Sequence, residues 1–290
     1  MRPDVTPFHH PPTGSWTYVA ADPATKAAVI VDPVLDYDGR AARTATRSAE
    51  AVAAHCEERG LRVRWILETH AHADHLSAAQ YLKGRLGAQV AIGEGIRSVQ
   101  ATFKKVFGLG DEFVPDGRQF DRLLADGETL EFGGSTVRVI AVPGHTNDSV
   151  AYLVDDALFV GDTVFMPDSG SARCDFPGGD ARALYRSVQR LYALPAETRV
   201  FVCHDYGQGG RAPLCETTIA EQKASNTHLR DGVGEDAYVE MRTTRDASLD
   251  VPILLIPSVQ VNIRGGRLPP PEADGTSYLR VPLNLFGRAG

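Results

Sequence analysis

The sequence has 290 residues, 43% hydrophobic and 23% charged, which is typical of a folded globular protein that can bury a core without disulfide bonds. Its 30 lysines and arginines and 37 aspartates and glutamates give a net charge of −7, which argues against nucleic acid or an anionic membrane as the main partner. Four scattered cysteines, no membrane-length apolar run and no recognisable secretory leader favour a protein of the reducing cytoplasm.

The first part of the chain is predicted to alternate strands and helices. Residues 15–20 and 27–31 are apolar or alternating around an Asp-Pro turn, and they predict a β-hairpin. Residues 41–59 are rich in alanine with charges at helical spacing, and they predict a surface helix that ends at Gly60. The short apolar run 63–68 predicts a buried strand.

The alternation continues along the rest of the chain, with several strands adjacent to one another. Further helices are predicted at residues 75–86, 96–107, 181–193, 214–227 and 234–246. Further strands are predicted at residues 89–92, 129–132, 136–142, 150–153, 157–160 and 199–203. This order predicts an α/β protein with two mixed sheets flanked by helices. We expect a single domain over residues 1–290, with a C-terminal extension at about 228–290.

The segment 69–75, Thr-His-Ala-His-Ala-Asp-His, directly follows the predicted strand 63–68. It places three imidazoles and a carboxylate close together, and the small alanines between them let the backbone turn tightly. Ligand sites in α/β proteins lie at the carboxyl ends of strands, and imidazole with carboxylate suits zinc, iron or manganese. A solvated polar loop would seldom hold three of the nine histidines of the chain, so the segment predicts a metal site.

Three other potential ligands also follow predicted strands. His145 lies in a Pro-Gly-His-Thr sequence, Asp162 lies in a Gly-Asp-Thr sequence, and His204 follows the strand predicted at 199–203. Each is weak evidence alone, because a histidine or aspartate after a strand more often serves a turn or a helix cap. Together, and in this order, they predict one shared metal-binding edge.

The order HxHxDH, PGHT, GDT and a late histidine resembles the metallo-β-lactamase superfamily. The resemblance implies an αββα four-layer sandwich, with the metal at one edge between two mixed sheets. Because that superfamily includes hydrolases, nucleases and oxygenases, the fold alone does not give the function.

A closer resemblance is to a bacterial subgroup of the persulfide dioxygenases, also called sulfur dioxygenases. The stretches that carry it are residues 16–18, 31–35, 69–75, 143–146, 161–162, 173–176, 204–206 and 262–264. The resemblance implies that His70, His145 and Asp162 bind one Fe(II) ion per chain, a site that zinc or manganese could also occupy. It places His72 near the metal but outside this set of three ligands.

The chemistry expected of such a site is oxidation by O2. Two imidazoles and one carboxylate on one face of a metal leave open positions, as in the facial triad of non-haem iron(II) oxygenases. The resemblance implies oxidation of glutathione persulfide to sulfite and thiol, in sulfide detoxification. Arg173 is a candidate for a catalytic or substrate-carboxylate contact, because its planar guanidinium suits that group. Tyr206 is a candidate for both roles and Arg264 for substrate binding, with structural roles slightly favoured for these two.

The main alternative is a thioester hydrolase of the glyoxalase II type, which would use two metals to activate water. The residues that could either support the three ligands from outside or hold a second metal are His72, Asp74, His75 and His204. Because these residues are present, the sequence alone does not exclude the hydrolase.

A third class is a non-enzymatic sulfur carrier or redox sensor, which would depend on Cys174. A neighbouring cation such as Arg173 lowers a thiol pKa, although an inert small side chain is the simpler interpretation. The expected partners are a small-molecule persulfide and O2, without nucleic acid or membrane, and a homodimer is left open.

Overall fold

The first of two large sheets contains the N-terminal hairpin and the strand that precedes the histidine-rich segment. The computed structural model describes residues 2–287, and its elements are numbered along the chain. The strands of this sheet, in spatial order, are β1 (Asp4–His10), β2 (Ser15–Ala21), β3 (Ala27–Val31), β6 (Arg62–Glu68), β8 (Gln89–Gly93) and β9 (Arg122–Leu124). The first three pair antiparallel, whereas β3, β6, β8 and β9 run parallel, so their carboxyl ends share one edge.

The second large sheet is mostly antiparallel. Its strands, in spatial order, are β10 (Thr129–Phe132), β11 (Ser135–Ala141), β12 (Val150–Val154), β13 (Ala157–Phe159), β14 (Arg199–Phe201) and β15 (Glu216–Thr218). The pair β13 and β14 is parallel, which brings the carboxyl ends of these two strands side by side.

A small third sheet holds the segment that follows the histidines. Its strands, in spatial order, are β5 (Arg43–Ala45), β4 (Val34–Asp38) and β7 (Leu76–Ser77). Leu76 pairs with Leu35 and Ser77 pairs with Val34. Because β7 begins immediately after His75, this pairing fixes the exit of the histidine-rich segment from the site.

The part of the chain that the structure describes has seven α-helices, and they lie outside the two large sheets. They are α1 (Arg47–Glu58), α2 (Ala79–Leu86), α3 (Ile96–Val106), α4 (Ala181–Tyr192), α5 (Ile219–Ser225), α6 (Glu235–Asp246) and α7 (Leu255–Asn262). Within residues 2–287, none of the helices combines the length and apolar character needed to span a bilayer.

Three apolar clusters show how the layers stack. Tyr18 from the first sheet packs in the same cluster as Phe132 and Phe159 from the second, so the two sheets face each other across a shared core. A second cluster joins the outer face of the first sheet to α1, α2, α3 and α7. A third joins the outer face of the second sheet to α4, α5 and α6. The predicted αββα sandwich is therefore confirmed.

Three predicted helices begin later than expected, because short strands precede them. Residues 43–45 pair with β4, and the helix starts only where Asp36 accepts a hydrogen bond from the Ser48 backbone amide at 2.9 Å. Residues 76–77 and 216–218 are likewise strands at the starts of the helices predicted from 75 and 214. Local propensity favoured helix at these positions, and pairing with a distant strand overrode it.

Candidate metal centre

Four strand ends meet at one edge of the sandwich. The segments that meet there follow β6, β11, β13 and β14, and they are residues 69–75, 143–146, 161–163 and 203–206. Their histidine, cysteine and aspartate side chains form overlapping groups in which the ligand-type atoms lie within 4.8 Å of one another. The shared edge predicted from the sequence is therefore present: β13 and β14 are a parallel pair, and the ends of β6 and β11 lie beside theirs where the two sheets face each other.

The first group consists of His70, His145 and Asp162, and all three side chains are buried. Nε2 of His70 lies 3.8 Å from Oδ2 of Asp162, and Nε2 of His145 lies 3.6 Å from the same oxygen. Ligand bonds of about 2.1 Å place neighbouring ligand atoms roughly 3–3.5 Å apart. The structure thus brings together the three predicted ligands at a separation close to that of a coordinated metal.

The far ring nitrogens of the two imidazoles are held in place. Nδ1 of His145 donates to the backbone carbonyl of Arg173 at 2.7 Å, which leaves Nε2 with a free lone pair in the neutral ring. Nδ1 of His70 lies 3.1 Å from Oγ1 of Thr69, whose hydroxyl donates to Asp32 at 2.9 Å. Such outer contacts fix the ring orientation and the tautomer of metal-binding histidines.

Two glycines of the motifs are required by close packing around this group. Gly144, at φ 140°, would place a Cβ 2.3 Å from the backbone nitrogen of Leu184. Gly161, at φ 51°, would place a Cβ 2.5 Å from Oγ1 of Thr69. Any side chain at either position would displace a segment that carries a candidate ligand, which explains why His145 and Asp162 each follow a glycine.

A second group contains His72, Asp74 and His204 and shares Asp162 with the first. Nε2 of His204 lies 3.1 Å from Oδ2 of Asp74 and 3.3 Å from Oδ1 of Asp162. The other ring nitrogen of His204 lies 3.3 Å from Oγ of Ser15. The His75 ring adjoins this group, 5.9 Å from the His204 ring between centroids. This arrangement can either support the first group or accept a second metal.

His72 also faces a buried acidic residue that the motifs did not reveal. Its Nε2 lies 3.0 Å from Oδ1 of Asp32, a residue with positive φ (48°) directly after β3. Both oxygens of Asp32 accept hydrogen bonds from Thr69, and burial raises the pKa of Asp32 to about 6. In the sequence Asp32 lies directly after a strand, within the stretch 31–35 that carries the resemblance, but it belongs to no metal-binding motif.

The donor set fits a divalent cation. Buried ligand atoms without a hydrogen-bond partner among residues 2–287 cluster here: His70 Nε2, both ring nitrogens of His72, Asp74 Oδ2, His75 Nε2, Asp162 Oδ1 and His204 Nε2. Burial lowers the pKa of His70 well below its usual value and raises that of Asp162 to about 8. Neutral imidazoles are ready ligands, and a bound cation would hold the Asp162 carboxylate in its charged form.

Asn262, at the end of α7, clamps the histidine-rich segment. Its side-chain amide donates to the backbone carbonyls of His72 at 2.7 Å and His75 at 2.8 Å. Its carbonyl oxygen accepts from the backbone amide of Ser77 at 2.8 Å. Asp148 adds a fourth contact by accepting from the amide of Ala71 at 2.9 Å. The fold around the ligands therefore depends on a residue nearly two hundred positions away along the chain.

A cavity of about 320 Å³ opens beside both groups of ligands. Its floor includes Asp74, His145, Asp162 and His204, and its walls include the apolar rings of Phe165 and Phe176 together with Arg173 and Tyr206. This volume is in the range of sites for small-molecule ligands. A small organic substrate that enters this cavity can therefore reach both groups of candidate ligands.

Arg173 lines the cavity, but its guanidinium is already paired. It donates to both carboxylate oxygens of Asp175, at 2.6 and 2.7 Å, and to the carbonyl of Asp250 at 2.7 Å. It also lies over the Phe176 ring, 5.3 Å from the centroid. A substrate carboxylate would have to compete with Asp175 for this guanidinium, and the expected substrate role of the side chain stays a prediction. The visible contribution of Arg173 is its backbone carbonyl, which orients His145.

The two other predicted substrate residues lie in different places. Tyr206 is 66% exposed at the cavity, and its ring is parallel to that of His204 at 6.0 Å between centroids. Arg264 does not line this cavity. Its guanidinium is buried, donates to the carbonyl of Gln260 at 2.6 Å and lies 4.9 Å from the centroid of Phe113. The structure thus gives Arg264 structural contacts and no access to the ligand groups.

Cys174 is also buried and lies outside the cavity. Burial raises the pKa of its thiol to about 12, although Arg242 acts in the opposite direction. Because the thiolate is the reactive form, such a thiol is a poor sulfur acceptor at neutral pH. The environment of Cys174 therefore favours the inert role over the carrier or sensor.

The comparisons with known proteins agree with the motif order. The family model of the metallo-beta-lactamase superfamily matches residues 10–204. The chain is 50% identical to a probable metallo-hydrolase of Burkholderia pseudomallei, over 96% of this chain and 98% of the relative. It is 50% identical to glyoxylase B2 of Dictyostelium discoideum, over 92% of both chains.

More distant relatives are named as persulfide dioxygenases. The mitochondrial persulfide dioxygenase ETHE1 of Bos taurus is 30% identical, over 76% of this chain and 73% of the relative. The crystal structure of ETHE1 from Myxococcus xanthus superposes with a TM-score of 0.71 at 29% identity, covering 91% of this chain and 100% of that structure. Names among the relatives therefore point both to hydrolysis and to persulfide oxidation.

Proposed function

Because the chain belongs to the metallo-β-lactamase superfamily, we propose that it is an iron(II)-dependent persulfide dioxygenase. Its substrate would be glutathione persulfide or a related low-molecular-weight persulfide, and its products sulfite and the parent thiol. The observation that carries this proposal is the group of His70, His145 and Asp162, two imidazoles and one carboxylate beside an accessible cavity. This donor set is that of the facial triad of non-haem iron oxygenases.

His72 differs from His70 and His145 in the carboxylate that it faces. Its Nε2 lies 3.0 Å from the buried carboxylate of Asp32, and its ligand-type atoms group with Asp74, Asp162 and His204, not with His70 and His145. The proposal therefore places His72 outside the set of three ligands. His70 and His145 instead direct Nε2 toward Asp162, and their other nitrogens have their own partners.

The proposed reaction balances as persulfide plus O2 plus water giving thiol, sulfite and two protons. An iron(II) ion held by the three ligands would supply the electron transfer between the persulfide sulfur and oxygen. The protein itself would orient the ligands and shield the reactants: the backbone carbonyl of Arg173 fixes the His145 ring, and Phe165 and Phe176 give the cavity apolar walls that limit water. In this proposal Tyr206, whose ring lies beside that of His204 and lines the cavity, would contact the substrate.

The second candidate function is hydrolysis of a glutathione thioester. The group of His72, Asp74, Asp162 and His204 supports it, because these residues would hold a second metal, which would supply the activation of water. The names of the metallo-hydrolase and glyoxylase relatives point the same way. Both candidates predict a substrate built on a small thiol such as glutathione, and they differ in the number of metals and in the use of oxygen.

The test is a side-by-side assay of protein purified anaerobically and loaded with iron. With glutathione persulfide it should consume one O2 for each sulfite released, while S-lactoylglutathione should be hydrolysed no faster than by buffer. An Asp162→Asn variant serves as the matched inactive control. Rapid thioester hydrolysis without uptake of oxygen would reject the dioxygenase and support the hydrolase.

A further inference from the structure

Arg245 is a cation at the cavity whose neighbour in the chain, Asp246, is paired with another arginine, Arg242. It lies in the last turn of α6, is exposed, and lines the same cavity as His145 and Asp162. Among the described residues, 2–287, no hydrogen bond or ion pair engages its guanidinium. An arginine that stays unpaired at the wall of a cavity is available to an anionic ligand.

The other two arginines of the cavity are neutralised by their own chain. Arg173 makes the paired contact with Asp175 described above, with N–O distances of 2.6 and 2.7 Å. Arg242 is buried one turn before Arg245, and its guanidinium pairs with Asp246 at 2.6 Å. It also donates to the Ser171 carbonyl at 3.0 Å. Arg245 is therefore the arginine of this cavity whose charge is not compensated.

His228 provides a neutral donor at the same wall. Its Nδ1 accepts from the backbone amide of Ser171 at 2.9 Å, so in the neutral ring the proton is on Nε2. The ring packs against Gly170, where a Cβ would lie 2.1 Å from Nδ1, and it cannot turn over without displacing this loop. Burial, with Arg242 and Arg245 adding to it, lowers the pKa of His228 to about 4.

We propose that Arg245, assisted by His228, binds a carboxylate on the tail of the substrate and so selects anionic small-thiol persulfides. This inference rests on the proposed function for the reacting end of the substrate. The ligand groups receive the sulfur end at the floor, and Arg245 receives the carboxylate at the wall. Glutathione has carboxylates at both ends of its chain, whereas a neutral thiol such as 2-mercaptoethanol has none. Arg245 thereby takes the specificity role that the sequence suggested for Arg173.

The kinetic test compares Arg245→Gln with the unchanged protein on two persulfides. With glutathione persulfide, KM should rise about tenfold while kcat stays within about twofold, because a partly exposed charge pair contributes on the order of 1 kcal/mol. With the persulfide of 2-mercaptoethanol, KM should not change. Arg245→Lys should restore part of the loss. Equal losses on both persulfides, or no loss on either, would overturn the proposal.

A binding measurement separates this inference from the proposed reaction. Binding of reduced glutathione to the metal-loaded protein is measured by calorimetry without oxygen, and it should weaken about tenfold in Arg245→Gln. In the unchanged protein, glutathione binding should also weaken as the salt concentration is raised. The matched control is Arg64→Gln, an exposed arginine of β6 outside the cavity, which should bind as the unchanged protein does. If persulfide oxidation is absent but this difference remains, the reaction fails and the carboxylate site stands.

Discussion

The floor and the wall of the cavity are built in different ways. The floor consists of side chains that follow strand ends, are buried, and leave ligand atoms without hydrogen-bond partners. The wall consists of residues from loops and α6, where two of three arginines are paired within the chain. The floor is organised to hold a cation, and the wall leaves one cation free to meet an anion. The comparison suggests that chemistry is set at the floor and substrate choice at the wall.

The largest effect is expected at the floor, from Asp162→Asn. Asp162 is common to both groups of ligand atoms, so its loss removes a charge on which any bound metal depends. Iron content should fall to a trace, and oxygen consumption should fall below detection, about 10³-fold or more. Metal analysis and an oxygen electrode measure both, with circular dichroism as the check on folding. A variant that retains its iron would show that Asp162 is not a ligand.

The next largest effect is expected from Asn262, which holds the histidine-rich segment of the floor from α7. Asn262→Ala would leave two buried carbonyls and one buried amide without partners. Each unsatisfied group costs about 1–3 kcal/mol, so the free energy of unfolding should fall by roughly 3 kcal/mol or more. Iron binding should weaken with it. Denaturant unfolding of the metal-free protein measures the first effect directly, and unchanged stability would show that water replaces the amide.

The floor was largely predictable from the sequence, because its candidate ligands lie in short sequence motifs. His70, His145 and Asp162 each stand in a short motif after an apolar strand, and the sheets bring such ends together without further information. Asp32 and Asn262 carried no comparable pattern. Their roles depend on contacts with Thr69 and with the carbonyls of the histidine segment, which only the folded chain creates.

The wall could not be predicted in the same way. Whether an arginine is free for a ligand depends on where its neighbouring carboxylates point. Arg173 matched the family pattern but pairs with Asp175, and Arg264 matched it but is buried beside Phe113. Arg245 matched no motif and is the unpaired one. The same limit affected the fold, where short strands such as β5 and β7 depend on pairing with β4.

A smaller effect is expected from His204→Ala, which separates the two groups of ligand atoms. If the site holds one metal and His204 only supports its ligands, the variant should keep most of its iron. Its activity should fall roughly 10–100-fold, as is common when a residue that supports metal ligands is removed. Ser15→Ala removes the partner of the other His204 ring nitrogen, together with a contact to Thr13, and should have a weaker effect in the same direction. Loss of half of the bound metal would instead assign His204 to a second site.

The smallest effect is expected from Arg173→Ala at the wall. The carbonyl that orients His145 remains in this variant, and the lost side chain leaves Asp175 without its partner. Iron content should be nearly unchanged and KM should rise by only a few-fold, less than in Arg245→Gln. A larger rise in KM for Arg173→Ala than for Arg245→Gln would reverse the assignment of the substrate carboxylate.

The central claim is that the floor holds one iron, bound by His70, His145 and Asp162. The most direct measurement is metal stoichiometry of anaerobically purified protein, together with anomalous diffraction at the iron edge. The claim predicts one metal per chain and a single anomalous peak between these three side chains. Two metals per chain, with His75 and His204 both coordinating the second peak, would contradict it and establish the binuclear hydrolase instead.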